Sequence, residues 1–246
     1  MTDDMDSPAQ AGHLLLGLMP DRIRQSILDG SAARQPYRDT ETAAQRQDRL
    51  AAREEMLRGR WLRLLPGRFA AATMESLAAG DAAHLAGWWN QGAVRSPALL
   101  LTGATGVGKT WMAYAVGDFA TRSGRSAIAV TVANYLTAEK DRMFGRLDSG
   151  AADEAADRAG KVRSDDLLIL DDLGVEVPGD WGTGHLTDLL DARASAELAT
   201  VITTNLSPER LHQVYGPRML SRITDRGGTA INVTGPDRRH TRTGGR

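Results

Sequence analysis

The sequence contains no cysteine, and only three of its 246 residues are lysine: Lys109, Lys140 and Lys161. The first absence excludes disulfides and cysteine-ligated zinc, and it fits a reducing compartment. The second makes a lysine at a motif position informative. No excess of one charge sign is present either. The formal net charge is −1, so contact with nucleic acid has to come from a local patch rather than from the whole surface. Long apolar runs are also missing. The stretch over residues 14–19 is too short to span a bilayer. It follows Asp3, Asp4 and Asp6 rather than basic residues, which is not the form of a secretory leader. These absences predict a soluble, cytoplasmic protein with no membrane partner. The five histidines (His13, His84, His185, His212 and His240) show no metal-ligand spacing, and no internal repeat is visible.

What is present suffices for one α/β domain with a small helical appendage. Residues 1–12 are polar and are expected to be disordered. Residues 20–28 can form a short helix with Ile23, Ile27 and Leu28 on one face, and residues 30–40 read as a loop. A longer helix is predicted over residues 42–65, with Leu50, Leu57, Leu62 and Leu65 as a thin apolar stripe. Such a helix docks on something else, either the main domain or a partner. Pro66 and Gly67 end it and divide a helical N-terminal region, residues 1–65, from a core over residues 66–239. In the core a helix is predicted over residues 77–89, with Trp88 and Trp89 as packing residues. Strands are predicted at residues 98–102, 127–132, 167–171, 200–204 and 230–234, with helices between them. That alternation implies a five-stranded parallel sheet covered on both faces, a three-layer α/β/α arrangement. From residue 235 the chain is rich in Gly and Arg and is expected to be loose, ending in a flexible basic tail at residues 240–246.

The chemistry is concentrated at the end of the first strand. Gly103, Ala104, Thr105, Gly106, Val107, Gly108, Lys109 and Thr110 satisfy the spacing G-x-x-x-x-G-K-[ST] of a phosphate-binding loop. Backbone N–H groups and a helix N-terminus hold a polyphosphate, and glycine permits the necessary curvature. Lys109 would reach the β- and γ-phosphates, and the Thr110 hydroxyl would ligate Mg²⁺. The apolar strand LLILDD ends in Asp171 and Asp172. We assign the first to the metal and the second to the attacking water. Asn205, the last residue of VITTN, can orient that water; it can also cap the following helix, residues 207–214. Arg218 and Arg222 in GPRMLSRI are four apart and share a helix face, which suits a phosphate on a neighbouring subunit or, alternatively, salt bridges within the chain. Residues 136–163 form a segment longer than a simple crossover. Its Lys140, Arg142 and Arg146, near Tyr135 and Phe144, can track single-stranded nucleic acid or form a charged surface helix.

Together, GATGVGKT, LLILDDLG, TVITTN and GPRMLSRI resemble the AAA+ family, and within it the branch of DnaC-type replicative helicase loaders and IstB-type transposition helpers. The resemblance covers residues 68–239. The line RFAAATMESL before the loop and LLDAR after LDDLG are similar to that branch. It implies a P-loop NTPase fold and an AAA+ core without a C-terminal helical lid, since few residues follow GPDRR. It also implies ATP and Mg²⁺ as cofactors, bound by residues 103–110 and Asp171, with Asp172 at the water. Asn205 matches the first sensor, and Arg222, with Arg218 before it, the arginine-finger region of an active site shared between subunits of a homo-oligomer. Single-stranded DNA would meet the segment after the second strand. Two departures stand out. Asp172 replaces the more usual glutamate, which implies slow hydrolysis, and no cysteines precede the core, so a zinc-bearing N-terminal domain is not expected. The implied function is an ATPase that loads a replicative helicase on DNA. The alternatives are a transposition helper binding duplex DNA and a transposase, and a non-hydrolysing ATP-binding adaptor.

Overall fold

A computed structural model describes residues 42–92, 98–174, 179–224 and 228–238. The readings for residues 1–12, 14–19, 20–28, 30–40 and 240–246 lie outside the described residues. The chain divides into two compact units, Met1–Gln47 and Asp48–Arg246, and the second holds all that follows.

Its helices are α1 (Ala43–Leu64, from Asp48 onward in this unit), α2 (Ala79–Gly87), α3 (Lys109–Arg122), α4 (Val132–Met143), α5 (Ser149–Ser164), α6 (Asp180–Ser195) and α7 (Pro208–Thr224). The strands are β1 (Ala98–Thr102), β2 (Ala127–Thr131), β3 (Leu167–Leu173), β4 (Ala199–Thr204) and β5 (Thr229–Asn232), in the spatial order β2-β3-β4-β1-β5 with every pair parallel. The strands fall within two residues of their sequence-based limits. The crossover over residues 136–163 consists of two helices, α4 and α5, separated by a turn at Gly145 (φ 61°).

Parallel strands covered on both faces are near-continuous apolar runs. In β1, Leu99 and Leu101 join a cluster with Val116 and Ala113 of α3, while Ala98 and Leu100 join the opposite cluster with Leu189 of α6 and Leu211 of α7. This is the three-layer arrangement, with β1 bonded to β4 on one side and β5 on the other. At the other end of the sheet the Arg193 guanidinium is fully buried. It donates to Thr200 Oγ1 (3.0 Å) and to the carbonyls of Val162 (2.9 Å), Asp165 (3.0 Å) and Ala199 (2.6 Å). Burial pushes its pKa down to about 10. It satisfies carbonyls at the C-terminal end of α5 and the start of β4 that would otherwise be orphaned.

The stripe on α1 differs from its sequence-based form. Leu57 and Leu65 are buried, but Leu50 and Leu62 are exposed, and the anchor is Trp61, fully buried. Trp61 meets the ring of Tyr114 edge-on at 5.9 Å and lies against Gly117 of α3, where a Cβ would stand 2.2 Å from Trp61 Cζ2. Polar contacts flank it: Arg58 pairs with Asp118 at 3.6 Å, and Arg60 pairs with Asp165. An indole can seat there because the facing residue has no side chain. Among the described residues no helix is long and apolar enough to cross a membrane.

Trp61→Ala is expected to cost about 3–5 kcal/mol, as for large aromatic truncations in cores. Leu50→Ala, at an exposed site, is expected to stay within about 0.5 kcal/mol. Denaturant melts of both variants check this ordering; equal melts would mean that α1 does not dock through Trp61.

Candidate nucleotide site

The loop after β1 bends through three positive-φ glycines, Gly103 (139°), Gly106 (85°) and Gly108 (109°). At Gly103 the requirement is also steric, because a Cβ would lie 2.2 Å from the Val233 carbonyl oxygen. Gly108 precedes α3 and offers no side-chain cap, and the first turn of α3 contains no acidic residue. The N–H groups and positive end of the helix dipole are therefore not neutralised by a side chain of that turn.

Lys109 is buried, and its ammonium donates three hydrogen bonds: to Gly103 O (2.8 Å), Ala104 O (2.7 Å) and Asn205 Oδ1 (2.6 Å). Desolvation lowers its pKa, while the charges of Asp172 and Asp171 oppose that shift. Asn205 follows β4, which lies between β1 and β3, and this brings its amide oxygen to the Lys109 ammonium. The capping alternative for Asn205 is not seen. Ser207 does that work instead, its Oγ accepting from the Arg210 N–H at 3.3 Å.

Asp171 ends the apolar run of β3 and is buried. Its Oδ1 accepts from Thr203 Oγ1 at 2.6 Å and from Thr110 Oγ1 at 2.9 Å. Burial raises its pKa, partly offset by the Thr203 hydrogen bond, and the neighbouring Asp172 adds to the rise. Asp172 is exposed and has φ 60°, at a break in the β3–β4 register between Leu170 and Leu173. Aspartate is among the few residues enriched in that conformation. A register break of this kind re-aims a side chain at a site.

Thr203 was not singled out from the sequence, yet its hydroxyl donates to Asp171 and accepts from the Asp172 N–H at 2.9 Å. The signal was there: two adjacent threonines, Thr203 and Thr204, at the end of a buried strand. Thr204 Oγ1 donates to Leu173 O at 2.7 Å and accepts from the Leu206 N–H at 3.1 Å, which fixes the strand end that presents Asn205.

The remaining sequence-based residues lie elsewhere. Arg218 and Arg222 share a face of the second segment of α7, beyond the break at Gly216 (φ 76°) and Pro217. Both pair with Asp191 of α6, Arg218 at 3.7 Å. The helix expected over residues 207–214 therefore continues past a kink to Thr224. On α4 and just beyond it, Arg142 pairs with the buried Glu139 (2.7 Å), and Arg146 pairs with Asp141 (3.7 Å) and lies over Phe144. Lys140 lies over the Trp181 ring at 5.2 Å. Phe144 is exposed, but Tyr135, expected beside it, is buried. The segment expected to be loose from residue 235 instead runs against the loop as far as Arg238, whose N–H donates to Gly106 O at 2.9 Å.

The donor set fits a magnesium nucleotide. A cradle of glycines that side chains would fill, a buried ammonium and a hydroxyl–carboxylate pair stand together at one end of the sheet. Among the described residues no group of three or more His, Asp or Glu could hold a metal ion. Thr110 and Asp171 would thus share the ion with phosphate oxygens, the usual arrangement for magnesium.

Over 124 residues the chain is 27% identical to the replicative helicase loader DnaC of Escherichia coli K12, covering 50% of this chain and 49% of that protein. Over 112 residues it is 38% identical to the putative ATP-binding protein of insertion sequence IS1162 from Pseudomonas fluorescens, covering 44% and 43%. The chain thus spans about half the length of the curated relatives it matches. A crystal structure of the DnaC helicase loader superposes with a TM-score of 0.59 at 19% identity, covering 69% of this chain and all of that one; at that identity it shows a shared fold. The model of the IstB-like ATP binding protein family matches residues 91–229, more than half of the chain and a span that includes Gly103–Thr110, Asp171 and Asn205, and the chain belongs to that family.

Proposed function

We propose that the chain hydrolyses ATP with magnesium at residues 103–110 and uses the nucleotide state to control its grip on a replicative helicase and on single-stranded DNA. The observation that carries the ATP part is the Lys109 ammonium, whose three protons are shared between two loop carbonyls and Asn205. A phosphate oxygen can take the place of one of these acceptors, and Asn205 is then released to face an attacking water. Thr110 and Asp171 would hold magnesium, which would supply a divalent charge to offset that building on the phosphoryl oxygens. Thr203 keeps Asp171 oriented for that role. The exposed Asp172 carboxylate is the group that accepts hydrogen from the water.

Arg218 and Arg222 would leave Asp191 to meet the nucleotide of an adjoining copy in a homo-oligomer, since two arginines on one face can serve a phosphate supplied from outside. Lys140, Arg142 and Arg146 would contact the DNA, and residues 1–65 would hold the helicase. The likeness to proteins named replicative helicase loader supports this reading. A second reading, a transposition helper for duplex DNA and a transposase, is favoured by the family description and by the insertion-sequence relative.

Copurification separates the two. A replicative helicase lost on deleting residues 1–65 supports the loader, and a transposase as the sole partner overturns it. For the chemistry, Lys109→Ala is expected to reduce DNA-stimulated ATP hydrolysis to background, and Arg222→Ala to reduce it by roughly 10³-fold. An equal mixture of the two variants should recover part of the rate, because each supplies what the other lacks. Turnover by the unsubstituted chain no greater than that of Lys109→Ala would favour a non-hydrolysing adaptor.

Asp171→Asn tests the metal assignment. The folded chain holds the Asp171 proton to higher pH than the unfolded chain does, so ionisation of this group removes stability as pH rises above the ordinary carboxylate range. Asparagine keeps an acceptor for Thr110 and Thr203 without the charge. The variant is expected to melt no lower than the parent, with a margin that widens from acid to neutral pH, and to lose the gain in ATP affinity given by magnesium. Thermal melts across pH and nucleotide titrations with and without Mg²⁺ read both effects.

A further inference from the structure

The segment that follows β5 is built into the phosphate loop. β5 pairs with β1 up to Asn232 opposite Thr102, and the Val233 N–H extends the ladder by donating to Thr102 O at 2.8 Å. The chain turns at Gly235 (φ 143°) and crosses the loop, where the Arg238 N–H donates to Gly106 O at 2.9 Å. It meets the loop at all three of its positive-φ glycines. Gly103 faces the Val233 carbonyl, Gly106 faces the Asp237 carboxylate, and Gly108 faces the Arg238 side chain. The contact at Gly106 is the tightest with a side chain: a Cβ there would stand 2.1 Å from Asp237 Oδ1 and 2.6 Å from Oδ2.

The features of the loop that attract anions favour a carboxylate as they favour a phosphate, so Asp237 competes for the place a phosphate would take. The helix terminus is uncapped by any side chain and Lys109 lies beneath it. Asp237 is half-buried, and the backbone bond from Arg238 to Gly106 fixes its place, so it cannot swing clear as a free surface side chain would. A polyphosphate entering the loop must either bind beside a like charge in a partly desolvated setting or lift the strap over residues 235–238.

We infer that Asp237 is a nucleotide-affinity residue: a carboxylate in the wall of the phosphate loop that weakens binding in proportion to the charge of the phosphate chain, with the strap at residues 235–238 displaced when a triphosphate binds. This rests on the ATP-site reading above. It gives the segment after β5 a part in the site that neither the loop motif nor the Asp171–Thr203 pair implies.

The test is a fluorescence or calorimetric titration of the full chain with ATP, ADP and adenosine. It compares the parent with Asp237→Asn, which keeps the shape, and Asp237→Glu, which keeps the charge. Asp237→Asn is expected to tighten ATP by roughly tenfold, ADP by less, and adenosine not at all, with the gain shrinking as salt is raised. Asp237→Glu should stay close to the parent. Equal ATP affinities for parent and Asp237→Asn, with the same melting temperature, would overturn the inference and leave the ATP site standing. So would a gain of the same size for adenosine, which would point to bulk rather than charge. Failure of both parent and Asp237→Asn to bind any nucleotide would overturn the ATP reading and this inference together. Binding by Asp237→Asn alone would support both.

Discussion

The Lys109 ammonium has three protons, and the protein provides three acceptors for them, two loop carbonyls and the amide oxygen of Asn205. A buried ammonium left short of acceptors would be costly, so this saturation sets the shape of the loop. It draws Gly103 and Ala104 inward and ties the loop after β1 to the tip of β4. The glycines at residues 103, 106 and 108 make the curvature possible, and the lysine gives it a reason to persist. Any phosphate that engages Lys109 has to replace one of those acceptors. Two of the three are backbone groups of the loop itself. Asn205 is the side chain, and it sits on a different strand.

From Asn205 the constraint passes along β4. Thr203 and Thr204 hold the end of β3 through the Asp171 carboxylate, the Asp172 N–H and the Leu173 carbonyl. These threonines and Thr200 are buried in the strand, a cost accepted only because every hydroxyl has partners. The Asp171 carboxylate, the Asp172 backbone and the Asn205 amide thus stand together at the C-terminal edge of the sheet, where parallel α/β sheets bind their ligands. The part of α1 from Asp48 onward is anchored by Trp61 onto α3, the helix that begins with Lys109, so that part of α1 and the phosphate loop are joined by one helix of fourteen residues.

Much of this was legible in the sequence. The five strands could be read because each is a short apolar run between turn residues, and burial on both faces leaves no room for ambiguity about the class of sheet. The phosphate loop could be read because its curvature demands glycine at fixed spacing. The α1 stripe was misjudged because Leu50, Leu57, Leu62 and Leu65 fit a helical period, whereas the docking surface is defined by a glycine on another helix, Gly117, which admits Trp61. Such a pairing is invisible to local periodicity. Thr203 was missed because threonine is an ordinary strand residue; its role depends on the neighbour across the β3–β4 register break. The segment from Gly235 to Arg238 read as loose because Gly, Pro and charge suggest a tail. Its order comes from a tertiary backbone bond to Gly106. The arginine pair was read correctly as one helix face, and its partner Asp191 lies on a different helix.

The most direct test of the central claim, that Lys109 is the group exchanged between the protein and the phosphate, is a crystal structure of the chain with Mg²⁺ and a non-hydrolysable ATP analogue. The account expects the Lys109 ammonium to have left Asn205 for phosphate oxygens while the Thr203–Asp171 hydrogen bond is kept. A nucleotide bound with the Lys109–Asn205 bond intact, or seated away from residues 103–110, would contradict it.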